Sequence, residues 1–226
     1  MQDATWPKAV LFDLDGTLVD SLPDIHAALN ETLASYGEPP FMPEAVAAMV
    51  GAGVQALIER AYAALGKTID PATRDKVVAR YLSIYGPRAT ELTTLNAGAS
   101  DALRFLGEGG FRLGVVTNKP RAETDEILKH FGVFERMEIV VGGDAGPRRK
   151  PAPDLLLFAA RELGLEPADV VFVGDSENDV DAAKAAGMKA IALRGGYTVH
   201  AAEALGADLV LDRLDEIPGR LAELEG

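Results

Sequence analysis

With 226 residues, 48% hydrophobic and 25% charged, the chain can bury a sizeable core and has ordinary globular composition. A net charge of −13 with no basic run disfavours nucleic acid, and it means that any anionic ligand needs its own local cations. The absence of cysteine excludes disulfides and thiolate metal sites.

The continuous apolar run Ala9 to Phe12 predicts a buried strand of a parallel sheet. It ends abruptly in Asp13-Leu14-Asp15-Gly16-Thr17, so two carboxylates sit at the carboxyl end of a strand, where open α/β sheets hold ligands. Two close carboxylates repel each other, and a hard cation such as Mg²⁺ relieves the repulsion. Asp, Gly and Thr are also ordinary turn residues, so the pair alone does not decide.

Next, Ser21-Leu22-Pro23-Asp24 has the form of a capping box, and Ile25, Ala28, Leu29, Thr32, Leu33 and Tyr36 recur at helical spacing. A short helix over Glu44 to Met49 is broken by Gly51-Ala52-Gly53. A second amphipathic helix carries Leu57, Ile58, Ala61, Tyr62 and Leu65. Asp70-Pro71 opens a third, which stops at Gly86-Pro87. Helices and strands then alternate. Helices are expected at 99–106, 120–130, 153–163, 180–186 and 201–205, and strands at 111–116, 137–141, 170–173, 189–193 and 208–211. Such alternation predicts a doubly wound, mostly parallel Rossmann-like α/β sheet with helices on both faces.

About a hundred residues separate Asp13 from the next expected strand, whereas a whole βαβ unit needs only about 30. The surplus predicts a small inserted α-helical cap over residues 20–92, with the core formed by 1–19 and 93–226. Leaving and rejoining at the carboxyl edge, the insertion should hang over Asp13. No apolar stretch approaches the ~20 residues needed to span a bilayer, and the opening MQDATWPKAV lacks a signal-like apolar core. A cytoplasmic protein is expected.

Three further stretches carry candidate chemistry. Thr117-Asn118-Lys119 ends an apolar strand before a helix, where hydroxyl and N–H groups can hold phosphate oxygens. Arg148-Arg149-Lys150 gathers three cations in an acidic chain. Val173 to Asp179 is a second apolar strand running into an acidic turn, with Asp175 and Asp179. Singly, these read as helix caps or solvated charge.

Taken together, DLDGTLVDS, Thr117, Lys150 and the Asp175/Asp179 turn resemble the four motifs of the haloacid-dehalogenase-like phosphohydrolases. FDLDGTLVDSLPDI, MVGAGVQALIERA, VVGGDAGPRRKPAPD and FVGDSENDVDAAKAAGM are most similar to the phosphoglycolate phosphatases within that superfamily. The resemblance implies a Mg²⁺-dependent phosphatase for a small phosphorylated metabolite, 2-phosphoglycolate foremost. Asp13 would be the nucleophile and Asp15 the general acid/base, with Asp13, Asp15 (through its backbone carbonyl) and Asp175 holding the metal. Thr117 and Lys150 would stabilise the phosphoryl group. Asp179 would orient Lys150 or a metal-bound water. Gly16, Thr17 and Asn118 complete the expected phosphate site, and the Gly51-Ala52-Gly53 amides and Arg60 are candidates for the substrate's carboxylate. No nucleic-acid or membrane partner is expected, and the chain would act as a monomer or homodimer.

The same fold also serves β-phosphoglucomutase-like phosphotransferases and phosphatases of other sugar or nucleotide phosphates. The mutases carry a cap histidine where this chain has Ile25, with His26 one residue on. Asp15 argues against a dehalogenase. A phospho-receiver domain would be about half as long, with its acceptor after a middle strand. A dead relative would be expected to lose Asp13 or Asp15.

Overall fold

The computed structural model describes residues 6–146 and 148–225; the expected core limits at 1 and 226, and the opening MQDAT, lie outside the described residues. Strand β1 (Ala9–Phe12) runs through the acidic turn into a two-residue strand, β2 (Val19–Asp20). Helices α1 (Leu22–Ser35), α2 (Pro43–Ala47), α3 (Val54–Ala64) and α4 (Pro71–Tyr85) follow, then β3 (Thr94–Leu95). The rest alternates as α5 (Ala99–Glu108), β4 (Arg112–Val116), α6 (Arg121–His130), β5 (Ile139–Val141), α7 (Asp154–Glu162), β6 (Val170–Gly174), α8 (Glu177–Ala186), β7 (Lys189–Leu193), β8 (Leu209–Leu211) and α9 (Ile217–Arg220).

The main sheet has the order β5-β4-β1-β6-β7-β8, and every pairing in it is parallel. The strand order reverses between β1 and β6, which makes that crevice the place where such sheets bind ligands. Side chains alternate across the sheet. Val10 and Phe12 pack with Leu103 and Leu106 of α5 and Ile127 of α6, whereas Leu11 and Phe172 pack with Leu156 of α7 and Val180 of α8. The apolar strands are therefore buried on both faces, as their unbroken apolar runs require, and each fully buried large side chain contributes about 1.5–3 kcal/mol.

Five details depart from expectation. The segments leading into and out of the helical stretch pair as an antiparallel ribbon, β2 with β3, which the short polar-apolar sequence VD/TL does not announce. Ser21 does not cap α1 with its side chain; its hydroxyl goes to Asp15 instead. Buried Asp24 accepts from Leu92 N–H, Thr93 N–H and the Thr93 hydroxyl, tying the start of α1 to the returning chain. Ala202–Leu205 is a 3₁₀ turn, and α9 was not expected. Asp70 does cap α4, accepting from Ala72 and Thr73 N–H. Among the described residues, no helix is long and apolar enough to cross a membrane.

Candidate active site

β1 and β6 are each followed directly by an aspartate, and their pairing brings Asp13 and Asp175 together at the sheet's switch point. The amide of Asp13 still donates to Val173 O at 2.9 Å, so the ladder holds this backbone rigidly. Asp179, on the first turn of α8, completes the group. One oxygen from each of Asp13, Asp175 and Asp179 lies within 4.8 Å of the others, and all three residues are buried.

One ammonium faces these three carboxylates. Lys150 Nζ donates to Asp179 Oδ1 at 2.7 Å and to Val116 O at 2.9 Å. It also lies 2.8 Å from Asp13 Oδ1. That last contact is an ion pair, and Asp13 Oδ1 has no other polar partner within the protein. Burial raises the Asp13 carboxyl to about 6, against the pull of Lys150 and with a push from Asp179. Burial, then Asp179 and Asp13, raise Asp175 well above its ordinary range. Burial works to lower the Lys150 ammonium, but Asp13 and Asp179 outweigh it and the net shift is upward. Excess buried negative charge, with three carboxylates facing one ammonium, and an all-oxygen donor set fit a hard divalent cation.

Asp179 is a hub more than a free ligand. Its Oδ2 accepts from Asp175 N–H, Ser176 N–H and the Ser176 hydroxyl, while Oδ1 takes Lys150. Asp175 is held in turn by the Thr17 hydroxyl at 3.0 Å and by Tyr197 N–H at 2.7 Å.

Several expected site residues are already engaged within the protein. Gly16 and Thr17 were expected at the phosphate, but Gly16 N–H closes the turn onto Val19 O, and the Thr17 hydroxyl is spent on Asp175. Gly16 has φ +84°, and a Cβ there would stand 2.5 Å from Asp175 Oδ2, so the position needs glycine. Asn118 lines the cleft, yet its side-chain amide is engaged with the backbone of Lys150 and Gly51. Thr117 also lines the cleft, with its oxygen accepting from Lys119 N–H, so its own proton is free to be donated.

Asp15 turns its carboxylate away from the cluster. Lys119 Nζ donates to both of its oxygens, at 2.9 and 3.0 Å, and the Ser21 hydroxyl donates to Oδ1 at 2.5 Å. Neither partner was expected. The only sequence signal was a lysine directly following a strand-end motif in an acidic chain.

Two clefts open on these groups. The first runs between Asp13, Asp15 and Thr117 and an apolar wall from α1, α3 and α4, including Ile25, Leu57, Tyr81 and Tyr85. The second approaches Asp13 and Asp175 past Tyr197 and Arg60. Arg60 is therefore outside the apolar cleft, and its Nη1 donates to the Met49 and Val50 carbonyls just beyond α2. His26 does not stand in for the mutase histidine, since its Nε2 lies 2.9 Å from Phe41 O while Ile25 faces the cleft.

Fold and site together define a doubly wound α/β enzyme with a carboxylate–lysine centre at its switch point. The family profile described as haloacid dehalogenase-like hydrolase matches residues 10–193. The phosphoglycolate phosphatase of Cereibacter sphaeroides (strain ATCC 17025 / ATH 2.4.3) is 41% identical over 215 residues, covering 95% of this chain and 98% of that protein. Among solved structures, a predicted phosphoglycolate phosphatase from Haemophilus somnus 129PT superposes with a TM-score of 0.90 at 30% identity, covering 96% of this chain and 99% of the other. CbbY from Rhodobacter sphaeroides, in complex with phosphate, gives 0.83 at 30% identity over 97% and 99% of the two chains. The chain belongs to the haloacid dehalogenase-like hydrolase family and is an enzyme similar to phosphoglycolate phosphatases.

Proposed function

We propose that this enzyme is a Mg²⁺-dependent phosphatase acting on a small phosphate monoester, 2-phosphoglycolate foremost, through an aspartyl-phosphate on Asp13. The observation that carries the reading is Asp13 itself. It is a carboxylate fixed at a strand end, with an ammonium 2.8 Å from one oxygen and an open cleft in front. The relatives' names supply the substrate.

Asp13, Asp175 and the main-chain carbonyl of Asp15 would hold Mg²⁺, with Asp179 behind them. When bound, the ion supplies positive charge that offsets the carboxylates and the phosphoryl oxygens. The Asp13 carboxylate attacks phosphorus in line, the bond to the ester oxygen breaks, and Asp15 gives that oxygen its proton. Asp15 then takes a proton from the water that attacks the aspartyl-phosphate, restoring Asp13. Lys150 and the Thr117 hydroxyl stabilise the charge on the phosphoryl oxygens. Asn118 and Asp179 hold Lys150 in place for this.

In this reading residues 20–92 are a lid over a core of 1–19 and 93–226, shedding bulk water from the cleft on closing. The paired β2–β3 stem and a cleft walled from both parts support the division. A mutase would need a proton-transferring side chain where Ile25 lies. A cytoplasmic location accords with the absence of cysteine.

The test is phosphate release from 2-phosphoglycolate, sugar phosphates, nucleoside monophosphates and an aryl phosphate, with Mg²⁺ and with chelator. Mg²⁺-dependent release, greatest from phosphoglycolate and abolished in Asp13→Asn, is expected. Unchanged turnover in Asp13→Asn would remove the covalent mechanism.

A further inference from the structure

The apolar cleft has a feature that phosphoryl transfer alone does not call for. Among its lining residues, Lys119 is the only cation, and its side chain is only 5% exposed. It reaches both oxygens of Asp15, and its ammonium stands 4.7 Å from the centre of the Tyr85 ring. Burying an ammonium in an apolar wall is costly without partners, and Asp15 supplies one face of it. Tyr85, stacked on Tyr81 with ring centres 5.4 Å apart, lines the same cleft. Its hydroxyl is buried and has no hydrogen-bond partner. A cation and an orphaned hydroxyl thus meet in one otherwise apolar wall. Arg60, the earlier candidate for a second anion, belongs to the other cleft.

We propose that Lys119, with the Tyr85 hydroxyl, forms a subsite for a second anionic group on the substrate, a carboxylate, the ammonium sharing its contact between Asp15 and that group. This rests on the phosphatase reading above and adds the residues that select the substrate. The wall favours a carboxylate over a second phosphate. One ammonium already paired with Asp15 can share its charge with a monoanion, whereas a phosphate dianion among Ile25, Leu57, Tyr81 and Leu82 would be left largely unbalanced. The substrate class is therefore the phosphate ester of a short hydroxy acid.

The experiment compares kcat/KM for 2-phosphoglycolate with that for 2-hydroxyethyl phosphate, which has a neutral hydroxymethyl group in place of the carboxylate, and with that for ethylene glycol bisphosphate. It is run on the wild-type enzyme, Lys119→Met, Lys119→Arg and Tyr85→Phe. Taking the ratio cancels any loss common to all substrates, including disturbance of Asp15. The wild type should prefer phosphoglycolate over both others. Lys119→Met should lower its preference over hydroxyethyl phosphate by about 100-fold, as expected for a buried charge-assisted contact, and Lys119→Arg should restore part of it. Tyr85→Phe, which keeps the ring and the fold, should lower the preference by about tenfold. Should Lys119→Met not fold, Tyr85→Phe and Lys119→Arg still decide. Wild-type enzyme without release from any ester would sink the phosphatase reading and the subsite together. Active wild type with no preference for the carboxylate, a preference for the bisphosphate, or variants that lose all substrates by one factor would overturn the subsite alone.

Discussion

The side-chain amide of Asn118 pairs with the Lys150 peptide in both directions. Its Oδ1 accepts from Lys150 N–H at 2.9 Å, and its Nδ2 donates to Lys150 O at 2.9 Å and to Gly51 O at 2.8 Å. One side chain therefore fixes the backbone under the central lysine and ties the glycine turn before α3 to the sheet.

Asn118→Leu keeps the size and removes these bonds, leaving buried peptide groups unpaired. Stability should fall by about 2–4 kcal/mol, read by urea unfolding, and kcat should drop more than KM rises. Asn118→Asp, which keeps only the acceptor, should fall between. Unchanged stability with a raised KM alone would make Asn118 a substrate contact, as its motif position first suggested.

Removing the charge of Asp13 should make the metal-free protein more stable at neutral pH. Its carboxyl is raised from 3.8 to about 6, so between those values the folded state holds more protons than the unfolded one. Stability from this group is then lost as pH rises through the window, and the destabilisation is complete above about 6. With chelator present, Asp13→Asn should match the wild type near pH 4. By pH 7 it should exceed the wild type by an amount on the order of 1–3 kcal/mol. A difference that does not vary with pH would show that Lys150 already neutralises Asp13 in the fold.

Gly196 offers a way to disturb the proposed metal site without touching a carboxylate. A Cβ there would collide with the Asp175 side chain, and the neighbouring Tyr197 N–H is one of the two donors orienting that group. Gly196→Ala should therefore need about 10–100-fold more Mg²⁺ to reach the same thermal stabilisation as the wild type. An unaltered Mg²⁺ titration would show that the loop moves aside.

Much of this site was legible because its groups follow local rules. Apolar strands that end in Asp13, Thr117 and Asp175 must deliver those residues to one edge of a parallel sheet, and Lys150 and Asp179 fall at neighbouring helix starts. What stayed hidden depends on residues far apart in the chain. Lys119 meets Asp15 across 104 positions, and Tyr197 meets Asp20 across 177. Gly16 and Thr17 were legible as part of a motif, but their contacts with Val19 O and Asp175 were not. Whether a hydroxyl faces phosphate or Asp175 is decided by where β6 ends, and no spacing along the chain records that.

Tyr197 joins Asp175, in the proposed metal site, to the root of the helical segment. Its hydroxyl donates to Asp20 Oδ1 at 2.7 Å and accepts from Ser21 N–H at 2.8 Å and Leu22 N–H at 2.9 Å, while its own N–H holds Asp175. The two accepted N–H groups lie at the start of α1, where intrahelical partners are lacking. Ser21 in turn holds Asp15. Tyr197→Phe keeps the ring and removes the clasp. Stability should fall by about 1–3 kcal/mol, because Ser21 N–H loses its partner and Asp20 Oδ1 and Leu22 N–H keep only their 3.2 Å contact with each other. Limited proteolysis should quicken between 18 and 24, and kcat should fall with little change in Mg²⁺ requirement, since the backbone contact to Asp175 survives. If proteolysis and kcat both hold while Mg²⁺ affinity drops, Tyr197 serves the metal site alone and the helical segment is anchored by the β2–β3 stem and Asp24.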